Sequence, residues 1–462
     1  MSRVCIVGAG SSGLASCQAL QARGIRFDCF EAGSAVGGNW RFDNDNGMSS
    51  AYSSLQAKSS RSGMQYAAYP MPASYSSYLG HELIATYLDE FVDHFGFRQA
   101  IQFQTEVLKV APANRGGWDV RVRRRDTGAE HIERYSCVLV ASGHHWDPRY
   151  PRPAVPGAAE FRGLQIHSHE YREPQPFAGQ SVLVVGIGNS GSDIAAECSL
   201  VAGRTLVAVR GGAHIVPRYL FGVPTDRLTL MRLGAAMPLG LQRALVRLLV
   251  RLARGRVTAA GLPRPDHRLL DIPPTVSDIL PGRLNRGEIV VKPAIDRFED
   301  DRVLFTDGSA ELVDVVIYCT GYNLSFPFLD AGTAGIAGNR VHLYQRVVSP
   351  RLPGLYFIGL VQPIGAIMPI AEAQSQWVAD LIEGRSILPP ELEMNEEIAT
   401  YFAAIARRHR RAMRSARYAI QVDFQSYLRQ IRRERRAGAM RHGTLTKSAP
   451  RVEIEVLPTL HG

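Results

Sequence analysis

A chain of 462 residues is about three times a typical ~150-residue domain, so two or three units, or one large split domain, are expected. With 45% hydrophobic and 21% charged residues, it is excluded from general disorder, collagen-like repeats and disulfide scaffolds. The formal charge of +10 invites a nucleic-acid reading, but the stretch from Ile405 to His442, with 12 Arg and two acids, carries that whole excess; no nucleic-acid partner is expected.

The N-terminus enters a strand pattern almost at once, with no charged and apolar leader, so no secretory signal is expected. No run approaches ~18–20 uninterrupted apolar residues, so no membrane span is expected either. Cys5, Cys17, Cys29, Cys137, Cys198 and Cys319 stand apart without CxxC pairs, which reads as buried thiols in a reducing, cytoplasmic setting.

In chain order, Arg3 to Val7 is a short apolar run, Gly8-Ala9-Gly10-Ser11-Ser12-Gly13 a glycine turn, and Leu14 to Arg23 a helix pattern stopped by Gly24. Ile25 to Phe30 is a second strand ending at Glu31. This spacing predicts a βαβ unit. Strand-like runs follow at Phe103 to Val110, Trp118 to Val122 and Cys137 to Ala141, and Pro148, Pro151, Pro153 and Pro156 punctuate a connection. The pattern then restarts with Ser181 to Val185, Gly186-Ile187-Gly188-Asn189-Ser190-Gly191, helix-like Ser192 to Ala202 and a strand from Arg204 to Val209. Two copies of one supersecondary unit predict an α/β chain with two dinucleotide-binding folds.

Leu239 to Val257 sets Arg243, Arg247, Arg251 and Arg254 on one helical face, with Leu241, Leu245, Leu248, Leu249 and Leu252 over much of the rest. A lid or dimer helix burying its leucines is preferred here to a peripheral contact with an anionic membrane. Further strands at Ile289 to Lys292, Val303 to Phe305, Val313 to Cys319 and Leu355 to Ile358 precede helix-like Ala371 to Ile382. After Pro389 and Pro390 the chain turns helical and Arg-rich, as an appendage rather than a third core.

In a GxGxxG loop the first glycine permits the tight turn, the second lets backbone approach a pyrophosphate, and the third allows close helix packing beneath the anion. Each loop here follows an apolar strand and opens a helix, the context that gives the motif meaning. Glu31, at the end of the second strand, is placed to accept hydrogen bonds from a ribose diol and would repel a 2′-phosphate. Arg210 holds the matching place in the second copy, where a guanidinium can pair with a 2′-phosphate. The first cradle is therefore expected to take FAD or NAD, and the second NADPH.

Between the copies, Phe161-Arg162-Gly163-Leu164-Gln165-Ile166-His167-Ser168-His169-Glu170-Tyr171 fits FxGxxxHxxxY, and here the chain resembles the flavin-containing monooxygenase family. Gly37 to Phe42 resembles that family's FAD-contacting GGxWRF, Ser142 to His145 its return to FAD, and Tyr318 to Tyr322 with Ser325 to Phe328 its ATGY linker. Gly359 to Trp377 is similar to its segment near the flavin ring, and Val422-Asp423-Phe424 with Tyr427 to its C-terminal DYxxYMDxL, a helical cap over the FAD domain.

The resemblance implies two Rossmann-like domains, with 1–150 and 328–390 forming a split FAD domain, 151–327 the NADPH domain, and 391–462 an Arg-rich helical segment. It assigns Gly8, Gly10, Ser11, Ser12, Gly13, Glu31, Gly38, Asn39, Trp40, Ser59 and Gln362 to FAD. To NADPH it assigns Gly186, Gly188, Asn189, Ser190, Gly191, Ser192, Asp193 and Arg210. The implied reaction moves one oxygen atom from a flavin hydroperoxide to an amine nitrogen or sulfide sulfur of a small molecule, with dioxygen as co-substrate and no metal. His167 would organise the junction between domains, and Tyr171, where Baeyer–Villiger relatives carry Trp, weighs against ketone insertion. One departure stands out. In the stretch from Tyr52 to Pro70, Ala57-Lys58 replaces the family's Thr-Asn, and that Asn contacts flavin and nicotinamide. Lys58 is thus the candidate catalytic residue, whether it favours an anionic peroxide, binds an acidic substrate or weakens the intermediate. Baeyer–Villiger oxidation, an uncoupled NADPH oxidase and a homodimer all stay open.

Overall fold

The computed structural model describes residues 3–230, 239–254, 261–269, 271, 273–330, 332, 335–337, 340–408 and 420–448. Two five-stranded parallel sheets organise it. In the first, the strands run in the order Leu355–Phe357, Cys137–Val140, Val4–Val7, Phe27–Phe30, Ile101–Gln102. In the second the order is Leu164–His167, Val315–Tyr318, Ser181–Val185, Arg204–Ala208, Val290–Lys292.

These are the same topology. In each, the glycine turn follows the central strand, the helix packs back, and a three-stranded antiparallel meander comes just before the return strand. The meanders are Thr105–Pro112, Trp118–Arg124 and Glu130–Tyr135 in the first unit, and Ile295–Glu299, Arg302–Phe305 and Ala310–Leu312 in the second. Only the outermost strand differs in origin. Leu355–Phe357 reaches the first sheet after the second unit is complete, and Leu164–His167 enters the second sheet before that unit begins. The sequence repeat is thus an intertwined pair of Rossmann-like folds.

Both sheets are covered on both faces, which is why their strands read as continuous apolar runs. Val4 and Ile6 point into one core and Cys5 and Val7 into the opposite one. Val182 and Val184 likewise face away from Leu183 in the second sheet.

The strands expected from sequence are present, and the cradle helices run Ser11–Gln21 and Asn189–Cys198, a few residues earlier than their apolar patterns alone place them. Helix His81–Phe95 had no counterpart in the sequence reading. Strand Leu164–His167 lay hidden inside the fingerprint, whose residues the fold explains one by one. Phe161 packs on Phe298 at 4.8 Å between ring centres. A Cβ on Gly163 would lie 2.5 Å from the Phe161 ring and 2.7 Å from the Asp314 carbonyl oxygen. His167 ends the strand and Tyr171 is buried beyond it.

Helix Met368–Ile382 packs along the first cradle helix, and helix Phe424–Ser448 lies over it in turn. Tyr427, Leu428 and Ile431 enter the first core, so the Arg-rich segment caps the first unit. Asp380 joins these layers, accepting 2.5 and 3.0 Å hydrogen bonds from Arg23, just past the cradle helix, and another from Arg435 of the cap. Arg432, Arg433 and Arg436 are solvated. Asp380→Ala leaves two guanidinium groups without their shared carboxylate. It is expected to cost about 2 kcal/mol and to open the cap to proteolysis, read by thermal denaturation and limited digestion.

Paired nucleotide cradles as the candidate active site

At the first cradle, Gly8 has φ +99°, and a Cβ there would meet the Ala141 carbonyl oxygen at 2.9 Å. A Cβ on Gly13 would stand 1.8 Å from the Gly8 carbonyl oxygen. Gly10 caps the helix with no side-chain hydrogen bond, and no acid occupies the first turn, so the N–H groups around Ser11, Ser12 and Gly13 are left for an anion. Gly38, in the turn Gly38–Trp40, crosses Gly10 so closely that its Cβ would lie 3.0 Å from the Gly10 Cα. Asn39 holds this turn to the next segment, its Oδ1 accepting from the Ser50 amide and hydroxyl at 2.9 Å each. Trp40 is half-buried against the first core.

Glu31 is buried, and its carboxylate accepts from the Ala9 amide (2.8 Å), the Gly33 amide (2.8 Å) and Asn46 Nδ2 (3.0 Å). It therefore braces the cradle itself and keeps about one acceptor direction for a ribose hydroxyl. Tyr66, which sequence reasoning missed, donates its hydroxyl to the Ser11 carbonyl oxygen at 2.5 Å. Ser12 lies against Gly359, where any side chain would strike its Oγ, so the later segment is drawn onto the cradle. Gln362 pairs by its backbone with Gln421, and Ser59 is half-buried beside Ser60, whose amide donates to Asp226 at 2.6 Å.

The second cradle repeats this plan. Gly186 has φ +109°, and a Cβ on Gly191 would lie 2.2 Å from the Gly186 carbonyl oxygen. Gly188 differs, because a Cβ there meets nothing within 4 Å, leaving the approach to the helix N-terminus open. Asn189 is tied down by the Val276 amide at 2.9 Å, Ser190 is half-buried, and Ser192 is fully buried with no hydrogen-bond partner for its Oγ among the described residues. Arg210 stands exposed just past the strand end. Uncapped helix ends and glycines where backbone must be approached fit dinucleotides at both turns, and the second adds the Ser192 hydroxyl.

The two units meet through two carboxylates on one face of the second cradle helix. Asp193 accepts from Lys58 Nζ at 2.5 Å and from the Tyr52 hydroxyl at 2.6 Å. Glu197 accepts from the Tyr171 hydroxyl at 2.7 Å and from Ser54. Sequence reasoning missed Tyr52 and Glu197 as partners, although the four-residue step from Asp193 to Glu197 places both acids on one helical face. Lys58 is therefore a paired cation, its Asp193 contact fixing the first unit's loop to the second unit's helix. Burial pulls its ammonium below the ordinary lysine range, against the opposing pull of Asp193. Burial also pushes the Glu197 carboxyl up to about 7, with the neighbouring Asp193 adding to the rise and the Tyr171 hydrogen bond and Lys58 opposing it. His167 Nδ1 accepts from the His169 amide at 3.1 Å, its ring packs between Tyr150 and Tyr322, and burial pushes it down to about 4. A neutral, enclosed imidazole organises this junction.

This chain matches the family described as flavin-binding monooxygenase-like over residues 1–445. It belongs to that family. Flavin-containing monooxygenase 5 of Cavia porcellus is 34% identical over 443 residues, covering 93% of this chain and 82% of the relative. Dimethylaniline monooxygenase [N-oxide-forming] 2 of Rattus norvegicus is 35% identical over 410 residues, covering 86% and 76%. The solved structure of S-allyl-L-cysteine S-oxygenase from Allium sativum superposes with a TM-score of 0.69 at 25% identity, covering 98% of this chain and 94% of that one. The flavin-binding monooxygenase is accordingly an oxidoreductase that uses FAD and NADPH.

Because Glu197 holds its proton more tightly folded than its ordinary value near 4.5, it favours the folded state at low pH and loses that contribution as pH rises from about 4.5 through 7. Glu197→Gln cannot ionise. Its melting temperature relative to the parent chain is expected to rise between pH 5 and pH 8, as followed by differential scanning fluorimetry at both pH values.

Proposed function

We propose that this monooxygenase oxygenates a soft nucleophile, an amine nitrogen or a sulfide sulfur, in a small molecule. In this reading 1–150 and 328–390 form the FAD domain, 151–327 the NADPH domain and 391–462 the capping segment. The observation that carries it is the pair of matched, uncapped cradles joined by the Lys58–Asp193 contact. The N-oxide-forming and S-oxygenating reactions named for the relatives support the same class of acceptor.

When bound, NADPH supplies hydride and FAD supplies the centre at which dioxygen is activated. The protein's part is placement. Gly8, Gly10 and Gly13 admit the FAD pyrophosphate to the helix N–H groups of Ser11 and Ser12, with Glu31, Gly38, Asn39, Trp40, Ser59 and Gln362 around it. Gly186, Gly188 and Gly191 do the same for NADPH with Asn189, Ser190 and Ser192, and Arg210 answers the 2′-phosphate. Asp193 and Lys58 act as positioning residues, since their charges balance each other and hold the two cradles at one mutual angle. Tyr171 closes the junction through Glu197, and buried packing around it keeps water out.

Oxygen uptake with NADPH and a panel of amines, sulfides and ketones, with products identified by mass spectrometry, tests the reading. N- or S-oxides support it; esters from ketones alone, or peroxide in proportion to all NADPH consumed with every compound, would sink it.

Gly188→Ala is expected to leave the melting temperature unchanged while weakening NADPH binding on the order of tenfold, about 1.4 kcal/mol. Gly191→Ala is expected to lower stability itself because its methyl meets the turn carbonyl oxygen. Titration calorimetry beside thermal melts separates the two. Lys58→Gln and Asp193→Asn should each raise the KM for NADPH and the share of reducing equivalents lost as peroxide. Their combination should do so by less than the product of the two single effects, because each single change strands a half-buried charge.

A further inference from the structure

A chain of buried polar groups crosses the apolar core between the cap and the first cradle. Tyr427 of the cap, 2% exposed, donates its hydroxyl to the Gln345 carbonyl oxygen at 2.5 Å and accepts from Gln374 Nε2 at 2.8 Å. Gln374, 0% exposed in helix Met368–Ile382, accepts in turn from the Gly359 amide at 2.8 Å. Gly359 has φ +77°, and a Cβ there would lie 2.1 Å from Ser12 Oγ, so its backbone lies directly against the first turn of the cradle helix. The order of hydrogens is forced. The Gly359 amide can only donate and the Gln345 carbonyl can only accept, which leaves one orientation for the Gln374 amide and one for the Tyr427 hydroxyl. Burial pushes the Tyr427 phenol up to about 12, with Arg346 opposing, so the hydroxyl keeps the proton it donates.

The far end of the chain is held firmly. Gln345 and Arg346 have φ +52° and +60°, two successive side-chain-bearing residues in the left-handed region, a conformation that persists only where the surroundings impose it. Arg346 is 1% exposed, donates to Glu397 at 2.9 Å and lies 4.0 Å from the centre of the Tyr401 ring. Gln430 of the cap donates to the same Glu397 oxygen at 3.2 Å, and the Val347 carbonyl accepts from the Phe357 amide at 2.8 Å. The turn thus joins the cap to strand Leu355–Phe357, which ends two residues before Gly359. Apolar side chains would attach the cap at lower cost in desolvation, whereas a closed polar chain fixes direction as well as distance. That direction ends on the backbone that packs against Ser12.

We propose that Tyr427 is a positioning residue for FAD: acting through Gln374, it sets the Gly359 backbone against Ser12 and so holds the first cradle at the spacing the pyrophosphate requires. The inference rests on the first cradle being the flavin site. The test measures FAD in the filtrate after serial dilution and ultrafiltration of the full-length holoprotein. Tyr427→Phe and Gln374→Met should each raise the FAD dissociation constant on the order of tenfold. The double variant should be little weaker than either single one, because the same chain is broken in all three. Ile431→Val, in the same helix and core but off the chain, should lower the melting temperature and leave FAD affinity at the parent value. With FAD saturating, the KM for NADPH should match the parent throughout. Parent-like FAD affinity in either Tyr427→Phe or Gln374→Met, or equal weakening by Ile431→Val, overturns the inference. Gly10→Ala separates it from the reading beneath it. Its methyl meets only the Gly38 Cα at an ordinary 3.6 Å, so the fold tolerates it while the approach of the pyrophosphate is blocked. FAD lost by Gly10→Ala and kept by Tyr427→Phe sinks the positioning role alone; FAD kept by Gly10→Ala removes the flavin assignment of this cradle, and the inference with it.

Discussion

The structure rests on two carbonyl groups that leave no room for a side chain. The Gly8 and Gly186 oxygens point at the places where Gly13 and Gly191 would carry a Cβ, at 1.8 and 2.2 Å. Only with those positions bare does each helix settle onto its strand and aim its N-terminal amides back over the turn. Everything assigned to nucleotide binding follows from this backbone geometry. The surrounding side chains mostly hold it in place, as Glu31 does by bonding to the Ala9 and Gly33 amides.

A repeated unit would ordinarily produce two separable domains. Here the outer strands prevent it, because Leu355–Phe357 completes the first sheet only after the second has been built, while Leu164–His167 edges the second sheet from the connection between them. The fingerprint is the sequence trace of that crossing. Phe161 and Gly163 pack the strand's entry, His167 fills its exit and Tyr171 reaches the second cradle helix. Its residues hold two sheets in register, with a buried His167 kept neutral by that burial at the end of the strand.

Electrostatics at the junction run through one helix face. Asp193 answers Lys58, and Glu197, short of such a partner, is instead held by the Tyr171 and Ser54 hydroxyls and carries a raised carboxyl. The replacement of the family's Asn by Lys58 thus comes with a local counter-charge, which limits the field it projects toward either cradle. Elsewhere arginine does opposite work at different places. Arg435 ties the cap to Asp380, whereas Arg251 of helix Leu239–Arg254 is exposed beside exposed Leu248 and Leu252.

The sequence by itself determined the glycine turns, the apolar strands around them, their duplication and the family, since each is a matter of spacing along the chain that sterics and backbone geometry translate directly. It foresaw Glu31 directly after its strand, while Arg210 falls one residue beyond the matching place, which Val209 occupies. It did not show that Lys58 meets Asp193, that Glu197 lies in a dry corner, or that Leu164–His167 is a strand of the second sheet. Nor did it show that Leu241, Leu245, Leu248 and Leu252 of helix Leu239–Arg254 are exposed in the single chain. Those outcomes depend on which distant segments pack together, and only tertiary structure decided them, because charge pairing and burial act through space rather than along the chain.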